Sequence, residues 1–70
     1  ILIMAKIQLN GRKLELKNKY SIFTLLKKYK LESKKIAVEL NGKIINGNKH
    51  KTVFLKDKDK IEIVHFIGGG

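Results

Sequence analysis

The sequence contains no cysteine, no proline and no tryptophan, and only one of its 16 basic residues is an arginine. Without cysteine, the chain cannot form a disulfide, a thiolate zinc site or a cysteine nucleophile. Its two histidines are not accompanied by a cluster of other ligand residues, so we expect no metal centre and no bound cofactor. The longest apolar run covers residues 1–5, whereas a membrane-spanning helix needs about 20 residues. We therefore expect a soluble, cytoplasmic protein.

The length of the chain limits where chemistry can take place. A domain of 70 residues buries only about 60% of the surface of its unfolded chain, which leaves no room for a deep, enclosed cavity. Any reaction is therefore expected at an edge, at a tail or at a shared interface. Met4 is the first methionine, and we expect the native chain to begin there, with residues 1–3 as a remnant or a mis-assigned start.

The charge is strongly positive, because 16 Lys and Arg residues face 6 Asp and Glu residues and leave a net charge of +10. Such a charge normally suggests a nucleic-acid partner. Here the basic residues are lysines apart from Arg12, whereas base recognition and bidentate phosphate contacts favour arginine. Aromatic residues for base stacking are also few. The composition favours a solvated lysine coat, with a small basic nucleic-acid-binding module as the weaker alternative.

The first half of the chain predicts a β-hairpin followed by a short helix. Residues 6–9 and 13–17 alternate polar and apolar side chains around Asn10-Gly11, the strongest short-range hairpin signal. Ser21 is placed to cap a helix that ends near Lys30, although Thr24 leaves the capping box incomplete. The apolar face of this helix comprises Ile22, Leu25, Leu26 and Tyr29.

The second half predicts further strands. Residues 36–40 alternate and end at Asn41-Gly42, so that Ile44 and Ile45 can form a short return strand. A polar loop at residues 46–51 precedes a short β-prone piece at residues 52–55. The last strand is predicted at residues 60–67, after a turn at residues 57–59.

The two faces of the last strand differ in their expected surroundings. Ile61 and Ile63 lie on one face, which we expect the helix to cover, and Val64 and Phe66 lie on the other. Exposed apolar residues next to the end of the chain suit a partner protein. We therefore predict a partner surface at Val64, Phe66 and Ile67.

This order of elements predicts an α+β fold. A mixed sheet of four to five strands with one main helix packed on one face accommodates all the elements. A right-handed crossover through the helix and a central last strand give the ubiquitin-like β-grasp arrangement. We predict one β-grasp domain at residues 4–67 and a flexible glycine tail at residues 68–70.

The tail consists of Gly68, Gly69 and Gly70. Glycines lose more entropy on ordering than other residues, so a frayed end is the simplest interpretation of such a tail. Directly after the last strand of a β-grasp domain, however, a tail of roughly 10 Å without side chains can enter a narrow slot in an enzyme. Its terminal carboxylate could be joined to AMP there, and a sulfur nucleophile could attack the resulting mixed anhydride.

The sequence resembles the small sulfur carrier proteins of thiamine biosynthesis, the ThiS family, from Met4 to Gly70. The resemblance rests on Ser21-Ile22 with Leu25-Leu26, on residues 38–42, on residues 55–59 and on the glycine end. It implies that Gly70 is adenylated and becomes a thiocarboxylate that donates sulfur for thiazole synthesis. It also implies that Gly68 and Gly69 thread into the partner enzymes.

The resemblance further implies the partners and the role of the chain. The partners would be an E1-like adenylyltransferase that uses ATP, a sulfurtransferase and thiazole synthase. The chain itself would be a protein co-substrate, not an enzyme, with no catalytic residue of its own. Two residues depart from the usual family pattern: Gly68 stands where a small residue such as alanine is common, and Lys58 stands where a glycine often separates two aspartates.

Other functions remain open at the level of sequence. A molybdopterin-synthase-type sulfur carrier and a ubiquitin-like modifier also end in two glycines. His50 and His65 have no serine or cysteine nucleophile near them in sequence, so we do not expect them to be catalytic. Asp57 and Asp59 alternate with lysines and predict a turn, not a metal site.

Overall fold

The computed structural model describes residues 5–32 and 35–65 of the chain. Five strands and one α-helix account for most of this part. The strands are β1 (Ala5–Leu9), β2 (Arg12–Leu16), β3 (Ile36–Leu40), β4 (Lys43–Ile45) and β5 (Lys60–His65), and the helix is α1 (Ile22–Lys28). A short 3-10 helix covers Gly47–Lys49. The ends of the predicted domain at residues 4 and 67 lie outside the described residues.

The five strands form one mixed sheet in the order β2-β1-β5-β3-β4. The last strand lies at its centre, parallel to β1 and antiparallel to β3. The predicted ubiquitin-like β-grasp fold is therefore confirmed, with five strands and a central β5. The strand that precedes the glycine tail in sequence, β5, is thus held by hydrogen bonds to a strand on each side.

Both Asn-Gly pairs form the predicted hairpin turns. Asn10 and Gly11 have φ angles of 49° and 82°, and Asn41 and Gly42 have φ angles of 51° and 86°. Two successive positive φ angles define the type I′ turn, whose twist matches that of the flanking strands. The first turn joins β1 to β2 and the second joins β3 to β4.

The helix begins at the predicted position. The Ser21 hydroxyl oxygen accepts the Thr24 backbone N–H at 3.0 Å, and the hydroxyl groups of Ser21 and Thr24 lie 2.9 Å apart. Thr24 therefore contributes a hydroxyl contact at the position where a capping box has a glutamate. The helix ends at Lys28, two residues before the predicted end, and Tyr29 is the C-cap.

The end of the helix is a Schellman motif. Lys30 donates its N–H to the Lys27 carbonyl at 3.0 Å, and Leu31 donates to Leu26 at 2.9 Å. Lys30 has a φ of 58°, the left-handed conformation that this motif requires. Tyr29 was predicted on the buried face of the helix but is 42% exposed, because the chain turns away at this residue.

The core lies between α1 and one face of the sheet. Its buried apolar residues are Ala5, Ile7, Leu16, Ile22, Leu25, Leu26, Ile36, Val38, Leu55, Ile61 and Ile63. Each fully buried leucine or isoleucine contributes about 1.5–3 kcal/mol relative to an exposed one. The strand residues among them alternate with exposed or half-buried neighbours, so the opposite face of the sheet is left open.

The β-prone piece predicted at residues 52–55 does not form a strand. Only one isolated bridge pairs Phe54 with Ser21. Leu55 is nevertheless buried, and its N–H is donated to the Tyr20 carbonyl at 2.9 Å. This segment therefore crosses the start of the helix as an irregular connection. Its pairing with residues 20–22 ends where α1 begins, so no longer strand can form.

Candidate functional site

The strand β5 leads to the predicted reactive tail, and its two faces have the predicted exposure. Ile61 and Ile63 are 1% and 8% exposed and pack in the core, whereas Val64 is 62% exposed on the open face. Phe66, Ile67, Gly68, Gly69 and Gly70 lie outside the described residues. Of the predicted partner surface, Val64 alone can be placed, and it lies where the prediction put it.

The sheet register shows which residues surround Val64 on the open face. Val64 lies directly opposite Ala37 of β3, and Glu62 lies opposite Glu39. On the other side of β3, Glu39 lies opposite Ile44 of β4. Ile44 is 73% exposed, so two large apolar residues, Val64 and Ile44, flank the glutamates on this face.

Ile44 was not predicted as a candidate surface residue. Ile44 and Ile45 are adjacent in a strand, so their side chains must point to opposite faces of the sheet. Ile45 packs against the core, which leaves Ile44 on the open face. Two adjacent isoleucines in a predicted strand therefore already indicated that one of them lies on the open face.

Glu39 and Glu62 lie opposite one another on the open face, which also carries Lys13 and Lys60 in the row that passes through Gln8. Like charges directly opposite one another destabilise a sheet. Within residues 5–32 and 35–65, the single ion pair is the exposed one between Lys35 and Glu32 at 3.7 Å, so neither Glu39 nor Glu62 is neutralised by one. A partner that places apolar and basic groups against this face would relieve the repulsion while covering Val64 and Ile44.

Asn10 fastens the middle of β5 from the side of β1. Its backbone N–H is donated to the Ile61 carbonyl at 2.8 Å. Its side-chain Oδ1 accepts the Ile63 N–H at 2.7 Å, and its Nδ2 donates to the Ile63 carbonyl at 3.2 Å. The side-chain amide thus continues the ladder where β1 has ended. The sequence analysis interpreted Asn10 only as a turn residue.

Asn41 fastens the start of β5 in a similar way from the side of β3. Its Oδ1 accepts the Lys60 N–H at 2.8 Å, and its backbone N–H is donated to the Lys60 carbonyl at 2.8 Å. Its Nδ2 donates to the Asp59 carboxylate at 3.0 Å. The asparagines of the two hairpin turns therefore hold the central strand from opposite sides.

The turn before β5 uses both aspartates as hydrogen-bond acceptors. Asp57 accepts the Lys6 N–H at 2.8 Å, and the buried Asp59 accepts the Lys56 N–H at 2.7 Å. The prediction that this pair forms a turn is confirmed. In the part of the chain that the structure describes, no three His, Cys, Asp or Glu residues are grouped to hold a metal ion.

The two histidines have different surroundings. His50 is 2% exposed, its Nε2 lies 3.2 Å from the Ile45 carbonyl, and its own carbonyl accepts the Phe23 N–H at 2.8 Å. The sequence placed His50 in a polar loop, yet it is buried under the start of the helix. His65 is exposed at the end of β5. The contacts of His50 are those of a structural residue that supports α1.

No helix among the described residues is long and apolar enough to cross a membrane. The open face of the sheet and the end of β5 are the part of the described surface that matches the predicted site. This face carries the exposed Val64 and Ile44 beside Glu39 and Glu62. The chemistry at that end depends on residues 68–70, which lie beyond the described part of the chain.

Comparison with known proteins identifies similar chains. The sequence profile of the ThiS family matches residues 2–70. The chain is 46% identical over 65 residues to the sulfur carrier protein ThiS of Bacillus subtilis, a match that covers 91% of this chain and 98% of that protein. Among solved structures, the thiamine biosynthesis protein ThiS of Geobacter metallireducens is similar with a TM-score of 0.79 and 26% identity, over 93% of this chain and 99% of that chain.

A further similarity is to part of a larger enzyme. The chain is 37% identical over 65 residues to the thiazole synthase of Paramagnetospirillum magneticum. This match covers 93% of the chain but only 20% of the enzyme. A segment similar to this chain is therefore one part of that thiazole synthase polypeptide.

Proposed function

The chain belongs to the ThiS family of sulfur carrier proteins, and we propose that the carboxylate of Gly70 is the group that carries the sulfur. The observation that carries this proposal is the family match, which runs to Gly70 at the end of the glycine tail. The fold supports it, because β5, the last strand before the tail in sequence, is paired with a strand on each side. The chain then acts as a co-substrate and not as an enzyme.

The proposed chemistry takes place in two steps at one carboxylate group. An activating enzyme joins the Gly70 carboxylate to the α-phosphate of ATP and releases pyrophosphate. Sulfur at the sulfide level, HS⁻ supplied by a sulfurtransferase, then attacks the carbonyl carbon; a C–S bond forms, the C–O bond to AMP breaks, and the products are the thiocarboxylate, AMP and a proton. Gly68 and Gly69 lack side chains, so they can pass through a slot that fits bare backbone. ATP is thus used by the partner and is not a resident cofactor, and its use fits a cytoplasmic location.

Thiazole synthase is the proposed acceptor of the sulfur. The similarity to one fifth of the P. magneticum thiazole synthase supports this partner, because there a segment like this chain belongs to the same polypeptide. We propose that Val64, together with Phe66 and Ile67, contacts the partner enzymes beside the tail. The exposed Ile44 extends this contact across the open face.

Deletion of Gly70 tests the proposal directly. We expect the deletion variant to fold normally, because a glycine end contributes little to packing, but to lose adenylation. Gly69→Phe is expected to behave in the same way, since its ring would block a slot shaped for backbone. The measurement is pyrophosphate release with ATP and the activating enzyme from the same organism, with circular dichroism on each variant.

Gly47→Phe is the matched control for bulk at an exposed glycine. A Cβ at Gly47 meets no other atom within 4 Å, and this residue is far along the chain from the tail. We expect this variant to be adenylated normally. Mass spectrometry of the product should show one oxygen replaced by sulfur, whereas a modifier would give high-mass conjugates. If the deletion and Gly69→Phe variants both fold and are still adenylated, the proposal is wrong.

A further inference from the structure

Two stretches of the chain contain lysines but no acidic residue. Residues 17–31 include five lysines, and residues 40–56 include four. All six Asp and Glu residues lie outside these stretches. The acidic residues are therefore not distributed along the chain in step with the lysines.

The fold places the two acid-free stretches side by side. Ile22 donates its N–H to the Val53 carbonyl at 3.0 Å, and Leu55 donates to Tyr20 at 2.9 Å. The bridge between Ser21 and Phe54 belongs to the same contact. Because these bonds join the start of α1 to the connection before β5, the two stretches are adjacent there, and Lys27 of one and Lys51 of the other lie against the same ring, that of Phe23.

Aromatic rings hold several of these lysines in place. Lys19 Nζ lies 4.9 Å from the centre of the Phe54 ring, and Lys28 Nζ lies 5.6 Å from that of Tyr20. Phe23 has two such neighbours, Lys51 at 4.9 Å and Lys27 at 6.0 Å. Significant cation–π contacts occur about once per 70–80 residues, so these four among the described residues are a local concentration.

These seven residues define what we call the lysine surface: Lys19, Tyr20, Phe23, Lys27, Lys28, Lys51 and Phe54. None of its lysines takes part in an ion pair with another described residue. Ammonium groups gathered without carboxylates repel one another, and they attract a negatively charged surface. The lysine surface belongs to the helix layer, whereas Val64 lies on the opposite, open face of the sheet.

We propose that the lysine surface is a second docking site, which binds a carboxylate-rich surface of a partner protein. Complementarity of charge identifies the occupant as acidic. A nucleic acid fits less well, because the surface has no arginine and its rings are covered by ammonium groups that bases would have to displace. The site lies apart from the open face, so a partner can hold the domain there while β5 and the tail are engaged elsewhere.

The test compares two double variants that have the same net charge. Lys27→Glu/Lys51→Glu alters the lysine surface, and Lys13→Glu/Lys60→Glu alters the open face. Each lowers the charge from +10 by four units to +6, and all four lysines are exposed. Binding of a fluorescein-labelled polyglutamate peptide is measured by fluorescence anisotropy, with circular dichroism as the check on folding.

We expect the lysine-surface variant to weaken polyglutamate binding by about tenfold, and the open-face variant to weaken it much less. Added salt should weaken binding to the wild type. In the wild type, the amide NMR signals of Tyr20, Phe23 and Phe54 should shift on titration with the peptide. The Lys27→Gln/Lys51→Gln variant removes the two charges without reversing them. Its affinity for polyglutamate should lie between those of the wild type and of Lys27→Glu/Lys51→Glu.

Two outcomes would overturn the proposal. Equal losses in the two Glu double variants would mean that only the net charge matters. Tighter binding of an oligothymidylate of equal charge than of polyglutamate would identify a nucleic-acid surface instead. The proposal does not depend on the fate of Gly70, because polyglutamate binding is measured without ATP or the activating enzyme.

Discussion

Replacing Asn10 with glycine tests whether its side-chain amide holds the last strand. Glycine keeps the positive φ of 49° without strain. The substitution removes two hydrogen bonds to Ile63, one from the Ile63 N–H at 2.7 Å and one to its carbonyl at 3.2 Å. Any loss of stability larger than the entropic penalty of introducing a glycine therefore measures these two bonds.

The expected magnitude follows from the two contacts. A typical intramolecular hydrogen bond contributes about 0.5–1.5 kcal/mol to stability. Two such bonds give about 1–3 kcal/mol, and because Asn10 is exposed, water can replace part of the lost bonding; we therefore expect Asn10→Gly to lower the free energy of unfolding by about 1–2 kcal/mol, the lower part of this range. Asn10→Ala should lose about 1 kcal/mol more, because alanine lacks the tolerance of asparagine for the left-handed conformation.

Urea unfolding followed by circular dichroism measures the loss, with Asn46→Gly as the matched control. Asn46 also precedes a glycine, but it has a φ of −60° and its side chain makes no capping hydrogen bond. We expect this control to lose less than about 1 kcal/mol, the usual penalty for the flexibility of glycine. Hydrogen exchange at the Ile63 amide should accelerate in Asn10→Gly relative to both the control and the wild type.

One result would contradict the proposed role of the Asn10 side chain. If Asn10→Gly is as stable as Asn46→Gly and the Ile63 amide exchanges at the wild-type rate, the Asn10 amide does not hold β5. The turn residue would then act only through its backbone conformation.

Two further predictions concern local backbone structure. Ser21→Ala should lower stability by about 1 kcal/mol, because the Thr24 N–H at 3.0 Å loses its cap; an unchanged thermal midpoint would contradict the capping role. Lys58→Gly should raise stability by about 0.5–1 kcal/mol, because Lys58 has a φ of 72° where L residues are strained. Urea unfolding measures this gain, and a loss of stability would show that the Lys58 side chain has a compensating contact.

The positive φ of Lys58 bears on the departure noted in the sequence. A left-handed conformation favours glycine, which is the residue that the family resemblance implies between the two aspartates of this turn. The turn still forms here because Asp57 and Asp59 both accept backbone N–H groups within or next to it. We therefore interpret Lys58 as a tolerated substitution with a modest loss of stability.

The predictions that failed involve residues whose environment is not local. The β-prone residues 52–55 were predicted from composition, but a strand needs a partner, and only one bridge to Ser21 is available. His50 looked like a loop residue because its neighbours are polar. It is buried because the loop folds under the start of α1, where Phe23 donates to its carbonyl.

The sequence by itself determined the local features of this protein. Both hairpin turns follow from Asn-Gly pairs, because few other residues accept two successive positive φ angles. The helix start follows from Ser21, and the buried face of β5 follows from the alternation of Ile61 and Ile63. The glycine end was equally visible, and with the similarity in residues 38–42 it indicated the family.

Only the tertiary structure decided which distant residues meet. It brings Asn10 to Ile63, sets Ile44 diagonally across the sheet from Val64, and joins the two acid-free stretches around the helix. These contacts join segments far apart in sequence, and they depend on the strand order and register. A local pattern specifies the conformation of a few neighbouring residues. Which distant residues lie side by side on a surface depends on how the strands are ordered and aligned in the whole sheet.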